Sequence, residues 1–299
     1  RFGLSVITVV FEENYDIYLA RQLVTERILS SASKIPAGIM PVLGPITTGL
    51  GEIYQYTLEH PGDRTRAISI EELTHRRMVQ DWIVRPLLRS LPGIAEINSQ
   101  GGYIKEYQVI INPDQLQNYN LTIHQVELGI ANNNANSSGG ILSVDAEQYL
   151  VRGIGLIQTT KDIENIILDE QDGVPIFVRD VGKVEMGTDE RFGAIIKNGQ
   201  TESVSGIVLM VRGGNAKDII SKLKKRVTEI NERGLLPGGL KIISYYDRSE
   251  LINNALFSVG KVLIEGVLLV IITLLLFLGD IRSSLIVIAT LIITPLVTF

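Results

Sequence analysis

"SVSGIVLMVRGGNAKDIISKLKKRVTEINERGLLPGGLKII", residues 203–243, decides how the rest of the chain is read. An apolar run passes through a V-x-x-x-N turn into a helical pattern and leaves through P-x-G into a second apolar run. Ile219, Leu223, Val227 and Ile230 fall on one helical face, while Lys222, Lys225 and Glu229 fall outside it. That is a βαβ unit. A second copy opens the chain: "SVITVVFEENYDIYLARQLVTERILSSASKIPAGI", residues 5–39, reads as strand, Asn/Asp turn, helix, Pro-Gly and strand. Its helix puts Ile17, Ala20, Val24 and Ile28 on one face. The repetition argues for a duplicated α+β body.

Between the copies, Ser69 with Glu72 signals a helix start, and Pro86 is expected to kink or end that helix. "GIAEINSQGGYIKEYQVII" reads as two strands joined through Gly101-Gly102. Strand, helix, strand, strand is half of a ferredoxin-like sandwich, with helices on one face of an antiparallel sheet. Residues 114–187 differ in texture. Thr122 with Gln125 caps a short helix, "NNNANSSGG" reads as a polar loop, and "ILSVDAEQYLVRG", "IGLIQTT" and "IENIILDEQDGVPIFVRDVGKVEMG" read as strands joined by Gly/Asp turns. This block is expected to form a subdomain inserted into the α+β layer.

The end of the chain is a different material. A membrane crossing needs about 20 mostly apolar residues, and Ala255 to Leu278 supplies them. Ser284 to Phe299 is too short, reaching ~24 Å at the helical rise. The chain is therefore expected to be a fragment that stops inside a second crossing, and Arg1 is not an initiator. "YYDRSELINNALFSVGKVL" joins body to crossing without a flexible linker, which suggests that the two move together. Lys261 and Glu265 sit four apart at the entry to the first crossing, on one helical face. Anchoring is the favoured role for this ionisable pair, although an ionisable residue at membrane depth is also a functional candidate. Asp280 and Arg282 occupy the turn between crossings and give only a weak orientation signal.

Several functions are disfavoured. A net charge of −5 without a basic patch argues against nucleic acid, and the chain has no Cys for disulfides or thiolate sites. His60, His75 and His124 are scattered, as are Met40, Met78, Met186 and Met210, so ordinary packing or surface roles suit them better than a metal site. Acidic residues before helices (Glu12, Glu13, Asp16, Glu71, Glu72) are accounted for by the helix dipole. "DEQDG" at 169–173 is a hairpin turn without calcium-ligand spacing. No phosphate loop or Ser/His/Asp arrangement is legible. Neither an enzyme nor a cofactor is expected.

"DIYLARQLVTERI", "LGPITTGLGEIYQYTL", "GGYIKEYQVIINP", "VPIFVRDVGKVEMG" and "YYDRSELI" follow one another in an order that resembles the resistance-nodulation-division exporters, in particular their heavy-metal efflux branch. The resemblance spans the whole sequence. "VRDVGKV" is general to the superfamily, whereas "GEIYQYTL" and "KEYQVIINP" lean towards the metal branch. It implies ferredoxin-like porter subdomains with an inserted funnel (docking) subdomain, followed by transmembrane helices. Residues 1–44 would be the later part of the first porter subdomain, 45–113 and 188–248 the second, and 114–187 the funnel. Residues 255–278 would be one membrane helix and 284–299 the start of the next. Asn136, Ser137, Ser138, Gly139 and Gly140 would belong to an arm contacting a neighbour in a homotrimer. The implied activity is proton-driven efflux of heavy-metal cations (Cu/Ag or Co/Zn/Cd type). It would work from the inner membrane, with residues 1–250 in the periplasm and with a periplasmic adaptor protein and an outer-membrane channel as partners. The proton relay and Met-rich metal site of the family match no residue here, so this stretch alone is expected neither to transport nor to bind metal appreciably. Three rivals are weaker: a multidrug exporter, against a short arm and 6% aromatic residues; a protein-export accessory, against the inserted block; and an extracytoplasmic ligand sensor, against the tight "GDIRSS" return.

Overall fold

The computed structural model describes residues 5–36, 38–61, 63, 67–145, 147–278, 286–287 and 289–290. Asp280, Arg282 and most of the run 284–299 lie outside them. In chain order the elements are α1 (Ile17–Ser30), β1 (Glu52–Glu59), α2 (Ile70–Val79), α3 (Arg85–Arg89), β2 (Ile94–Gln100), β3 (Lys105–Ile111), α4 (Pro113–Asn118) and α5 (Ile123–Asn132). There follow β4 (Ser137–Val144), β5 (Glu147–Gly153), α6 (Thr160–Glu164), β6 (Ile167–Gln171), β7 (Val174–Phe177), α7 (Val178–Val181) and β8 (Gly182–Thr188). The chain then forms β9 (Ile195–Lys197), β10 (Thr201–Met210), α8 (Ala216–Glu232), β11 (Lys241–Asp247) and α9 (Arg248–Leu278).

The 203–243 unit folds as its pattern requires. Asn215 caps α8 by accepting from the Asp218 amide at 3.2 Å, and Ile219, Leu223, Val227 and Ile230 are buried together with Ile220. Their partner surface is an antiparallel sheet of order β11-β1-β10-β2, with short β9 paired to the start of β10. The core contains Ile53, Tyr56 and Leu58 of β1, Val79, Val84 and Leu88 of the α2–α3 stretch, and Ile97 of β2. Each such side chain, removed from water, contributes about 1.5–3 kcal/mol. The sheet therefore consists of two βαβ halves, β1-α2/α3-β2 and β10-α8-β11, interleaved so that β1 and β10 lie in the middle.

The duplication accordingly joins Glu52–Gln100 to Thr201–Asp247, not to the opening copy. Of that copy only α1 forms. Residues 5–10 carry no strand, with Val6 76% and Val10 87% exposed, and the described residues 38–44 carry none either. Alternating apolar residues need a neighbouring strand to pair with, and none of the described strands pairs with these segments. Within α1 only Ala20 of the expected stripe is buried.

One further expectation is corrected: Pro86 does not end its helix. A single wide turn, Gln80–Val84, has the Arg85 amide bonded to the Gln80 carbonyl five residues back, and α3 follows with Pro86 in its first turn. A proline ring clashes with the carbonyl four residues earlier, and the wide turn moves that carbonyl aside. β2 and β3 form on either side of Gly101-Gly102 as read, and they pair apart, β2 with β10 and β3 with β8. Gly101 and Gly102, at φ of +73° and +67°, turn the chain from one sheet into the other, and a Cβ on Gly101 would lie 2.4 Å from the Ser203 carbonyl oxygen.

Residues 105–188 form the second layer. β3 and β8 pair in register from Lys105↔Thr188 to Ile111↔Gly182, and α4–α7 pack around Leu116, Val126, Ile163, Ile176 and Val181. Thr122 and Gln125 make a full capping box for α5, and Asp172-Gly173 makes the β6–β7 turn with both residues at positive φ. "NNNANSSGG" is not wholly loop: Ser137, Ser138, Gly139 and Gly140 begin β4, because β5 supplies their backbone partners. "IGLIQTT" is not a strand. Its backbone is held by side chains instead, Gly155 donating to Asn136 Oδ1 and Ile157 to Asn134 Oδ1, each at 3.1 Å.

One close contact shows how tightly the sheet and helices fit. Tyr56 faces Gly206 across β1 and β10, and its hydroxyl donates to Gln80 Oε1 at 3.0 Å under complete burial. A Cβ at position 206 would stand 2.2 Å from the Tyr56 ring. Gly206→Ala is expected to cost about 1–3 kcal/mol by overpacking, read as a lowered unfolding midpoint in detergent. An unchanged midpoint would show that the ring moves aside freely.

Candidate functional site at the sheet–helix junction

Asp247 is the last residue of β11 and Arg248 the first of α9, so sheet and helix share a peptide bond. Asp247 fixes the angle between them. Its Oδ1 accepts from the Ser249 amide at 2.8 Å, satisfying one orphan backbone donor of the first helical turn, and from the Ser249 hydroxyl at 2.6 Å. Its Oδ2 accepts from Lys224 Nζ of α8. Arg248 reaches across to donate to the Leu50 carbonyl oxygen just ahead of β1. The first turns of α9 thus lean on α8 and on the start of β1.

The electrostatics are consistent. Burial alone would push the Asp247 carboxyl up, but the bonds from Lys224 and from both Ser249 donors together hold it below the usual carboxylate range. The hydrogen bond to Asp247 raises Lys224 above its ordinary value. Nearby, burial raises the Tyr54 phenol, which therefore stays neutral beside the pair. "YYDRSELI" carries part of the family resemblance, but the resemblance implies no role for Asp247. The available signal was an Asp immediately ahead of a helical run, a capping position.

α9 runs for 31 residues without a break, and within Arg248–Thr273 an 18-residue window reaches a mean hydropathy of 2.3 with none of that window buried within the protein. It is long and apolar enough to cross a membrane. Lys261 Nζ and Glu265 Oε1 lie 3.8 Å apart on its surface, about two-thirds exposed. The structure does not bring this pair to the other sequence candidates, which belong to the β4–β5 hairpin. In that hairpin every described residue of both strands is exposed, Ile141, Leu142 and Leu150 among them. Asn136 holds its base through Gly155, and a bulge between Ser138 and Ile141 contains Gly140 at φ +83°.

Two of the three histidines have a carboxylate neighbour, one distant in sequence and one three positions on. His60 Nε2 is 3.8 Å from Glu72 Oε1, and His124 Nδ1 is 3.5 Å from Glu127 Oε2. The Glu72 carboxylate is engaged by Arg76, which also meets Asp63 at 2.8 Å and the Leu58 carbonyl at 3.1 Å. Among the described residues no three His, Asp or Glu gather where they could hold a metal ion.

A mixed helix-and-sheet body continuous with a membrane-length helix is the class of protein these elements define. Residues 1–299 match the AcrB/AcrD/AcrF family, and the chain belongs to it. It is 43% identical over 96% of its length to the "Cobalt-zinc-cadmium resistance protein CzcA" of Cupriavidus metallidurans. It is 36% identical over 97% to the "Cation efflux system protein CusA" of Escherichia coli. The chain spans 27% of the length of each of these relatives. An X-ray crystal structure of a heavy metal efflux pump superposes with a TM-score of 0.80 at 34% identity, covering 94% of this chain and 27% of that one.

The junction yields a test with a definite sign. Because Asp247 is held low, its contribution is present above the ordinary carboxylate pKa and is lost as pH falls through the lowered value. Because Lys224 is raised, its contribution is present below the ordinary lysine pKa and is lost as pH rises through the raised value. The pair is therefore intact from about pH 4 to about pH 10. Asp247→Ala should cost about 1–3 kcal/mol, since it strands the α9 donors. Lys224→Met, at a half-exposed site, should cost under about 1 kcal/mol. Thermal unfolding at pH 7 and pH 3 checks both, and the Asp247→Ala deficit should shrink at the lower pH.

Proposed function

We propose that this chain is part of a proton-driven efflux transporter of the resistance-nodulation-division type that exports heavy-metal cations; the names of its relatives speak of cobalt, zinc and cadmium resistance and of cation efflux. The supporting observation is continuity: the similarity to metal-efflux proteins covers sheet layer, inserted layer and membrane-length helix together, at 96% of the chain. In this reading residues 45–113 and 188–248 form a ferredoxin-like porter subdomain, 1–44 belong to a first porter subdomain, and 114–187 form a funnel subdomain. Residues 255–278 cross the inner membrane, 284–299 open the next crossing, and residues 1–250 stand in the periplasm.

The β4–β5 hairpin is the arm that reaches a neighbouring subunit in a homotrimer. Its apolar side chains project without a partner in the described protein, and a two-stranded ribbon on its own is marginally stable. A periplasmic adaptor and an outer-membrane channel complete the export path. Lys261 and Glu265 lie in the half of α9 nearest the sheet and help to fix the depth at which it enters the membrane.

Expression of the gene carrying this sequence in a bacterium lacking its own metal exporters tests the reading. Tolerance to one group, Cu/Ag or Co/Zn/Cd, should rise while cell-associated metal falls. Unchanged metal tolerance with raised tolerance to dyes and detergents would instead favour the multidrug reading. Replacing residues 138–152 by a short Gly-Ser turn should leave the protein in the membrane and abolish cross-linking between subunits. Cross-linking that persists would remove the arm from the interface.

A further inference from the structure

α9 is not uniformly apolar around its axis. At about 100° per residue, Glu250, Asn254, Ser258, Lys261 and Glu265 share an arc of about 80°. All five are exposed. From Asn254 to Leu278 the only polar side chain off this arc is Thr273, and its hydroxyl is satisfied by the Leu269 carbonyl at 2.8 Å. The opposite face carries Val259, Leu263, Val267 and Val270 and forms an almost wholly apolar groove, with Ser258 of the seam at its edge. The polar residues thus make one continuous seam, beginning in the first turn at the junction and descending ~23 Å along the helix axis.

The seam ends inside the membrane. With the apolar run closing at Leu278, a hydrocarbon core of ~30 Å places Glu265 about 10 Å below the surface nearest the sheet. Side chains on a helix tilt towards its N-terminus, so Glu265 leans towards Lys261, and the two charges come within 3.8 Å. That pairing lowers the cost of burial without removing it, because both side chains remain about two-thirds exposed to whatever surrounds the helix. Hydrocarbon is an unfavourable neighbour for them, and ionisable residues at such depth face protein interior or water. Continuity decides between these. Asn254 and Ser258 fill the interval between Glu250, at the aqueous junction, and the buried pair, so water can follow the seam inward without crossing an apolar residue.

We infer that this face of α9 lines a water-filled cleft, open on the side of the sheet and ending at the Glu265 carboxylate. The cleft admits water and hydrated protons to that carboxylate, which accepts a proton from hydronium and returns water. The inference rests on the membrane placement of α9 proposed above, and not on the identity of any cargo.

Two measurements on the full-length protein in sealed membranes test it. In the first, a membrane-impermeant maleimide is applied from the side of the sheet to single variants. Asn254→Cys, Ser258→Cys, Lys261→Cys and Glu265→Cys should react at least about tenfold faster than Leu263→Cys and Val267→Cys. In the second, the unmutated protein is treated with a water-soluble carbodiimide and glycine ethyl ester. Glu265 should then be modified alongside Glu250, either as the glycine amide or as the internal amide with Lys261. The carbodiimide result stands even if Glu265→Cys fails to accumulate. Modification of Glu250 but not Glu265, with the deep cysteines as unreactive as Leu263→Cys, overturns the cleft alone and shows the seam covered by lipid or another helix. Equal labelling of both faces overturns the cleft together with the membrane placement of α9.

Discussion

A carboxylate that must satisfy a helix start and a lysine at once is the point on which the architecture turns. Asp247 ends a strand whose backbone is fixed by pairing with β1, and it caps a helix whose lower part is apolar on every side but one. Without a cap the first turn of α9 would fray, and β11 and α9 would be joined by a flexible peptide. With it, and with Lys224 and Arg248 tying the same turn to α8 and to the approach to β1, helix and sheet share one orientation. Rotating α9 therefore means rotating the sheet. Physical continuity of this kind is what a device needs if events in the membrane are to change the shape of an external binding surface.

The far end of the sheet is secured differently. Arg76 is completely buried in α2 and gathers Asp63, Glu72 and the Leu58 carbonyl at the end of β1. A buried guanidinium is costly unless its fork is matched by acceptors. Two carboxylates and a carbonyl meet its two terminal nitrogens, and they come from the strand, the loop and the helix of one βαβ half, while the buried Nε has no partner among the described residues. Exchanging Arg76 for lysine would keep the charge and lose the fork. Side-chain chemistry thus fixes the β1–α2 crossing, whereas apolar burial of the α8 stripe fixes the other half.

What was legible in the sequence follows from the range of each interaction. The α8 stripe, the Thr122–Gln125 box, the Asp172-Gly173 turn and the long apolar run of α9 are set by residues within a few positions of one another, and all were readable. Pairing was not. Alternation in "GIAEINSQGGYIKEYQVII" marks two strands, yet nothing local says that β2 goes to β10 and β3 to β8, some hundred positions on for β2. The same blindness made residues 5–10 look like a strand, since alternation reports only the readiness to pair. At Pro86 the rule that proline breaks helices held locally, but a single wide turn was a cheaper answer than a break. Of the site, Lys261 and Glu265 were found because they are four apart. The Lys224–Asp247 contact was missed because it closes over 23 positions and two elements.

The seam and the junction complete one another. Glu250 lies two residues beyond Arg248, so the polar face starts within the turn that Asp247 caps, and the cap sets the direction in which that face points. A rotation of α9 by one residue's worth, about 100°, would swing Glu265 away from a fixed cleft. The rigid join forbids that unless the sheet turns as well. With α9 crossing the membrane as proposed, protonation of Glu265 and the attitude of the sheet are linked through this one capped turn. The Lys224–Asp247 contact that helps to hold this turn is half exposed at its lysine end and buried at its carboxylate end, so solvent weakens it from the lysine side.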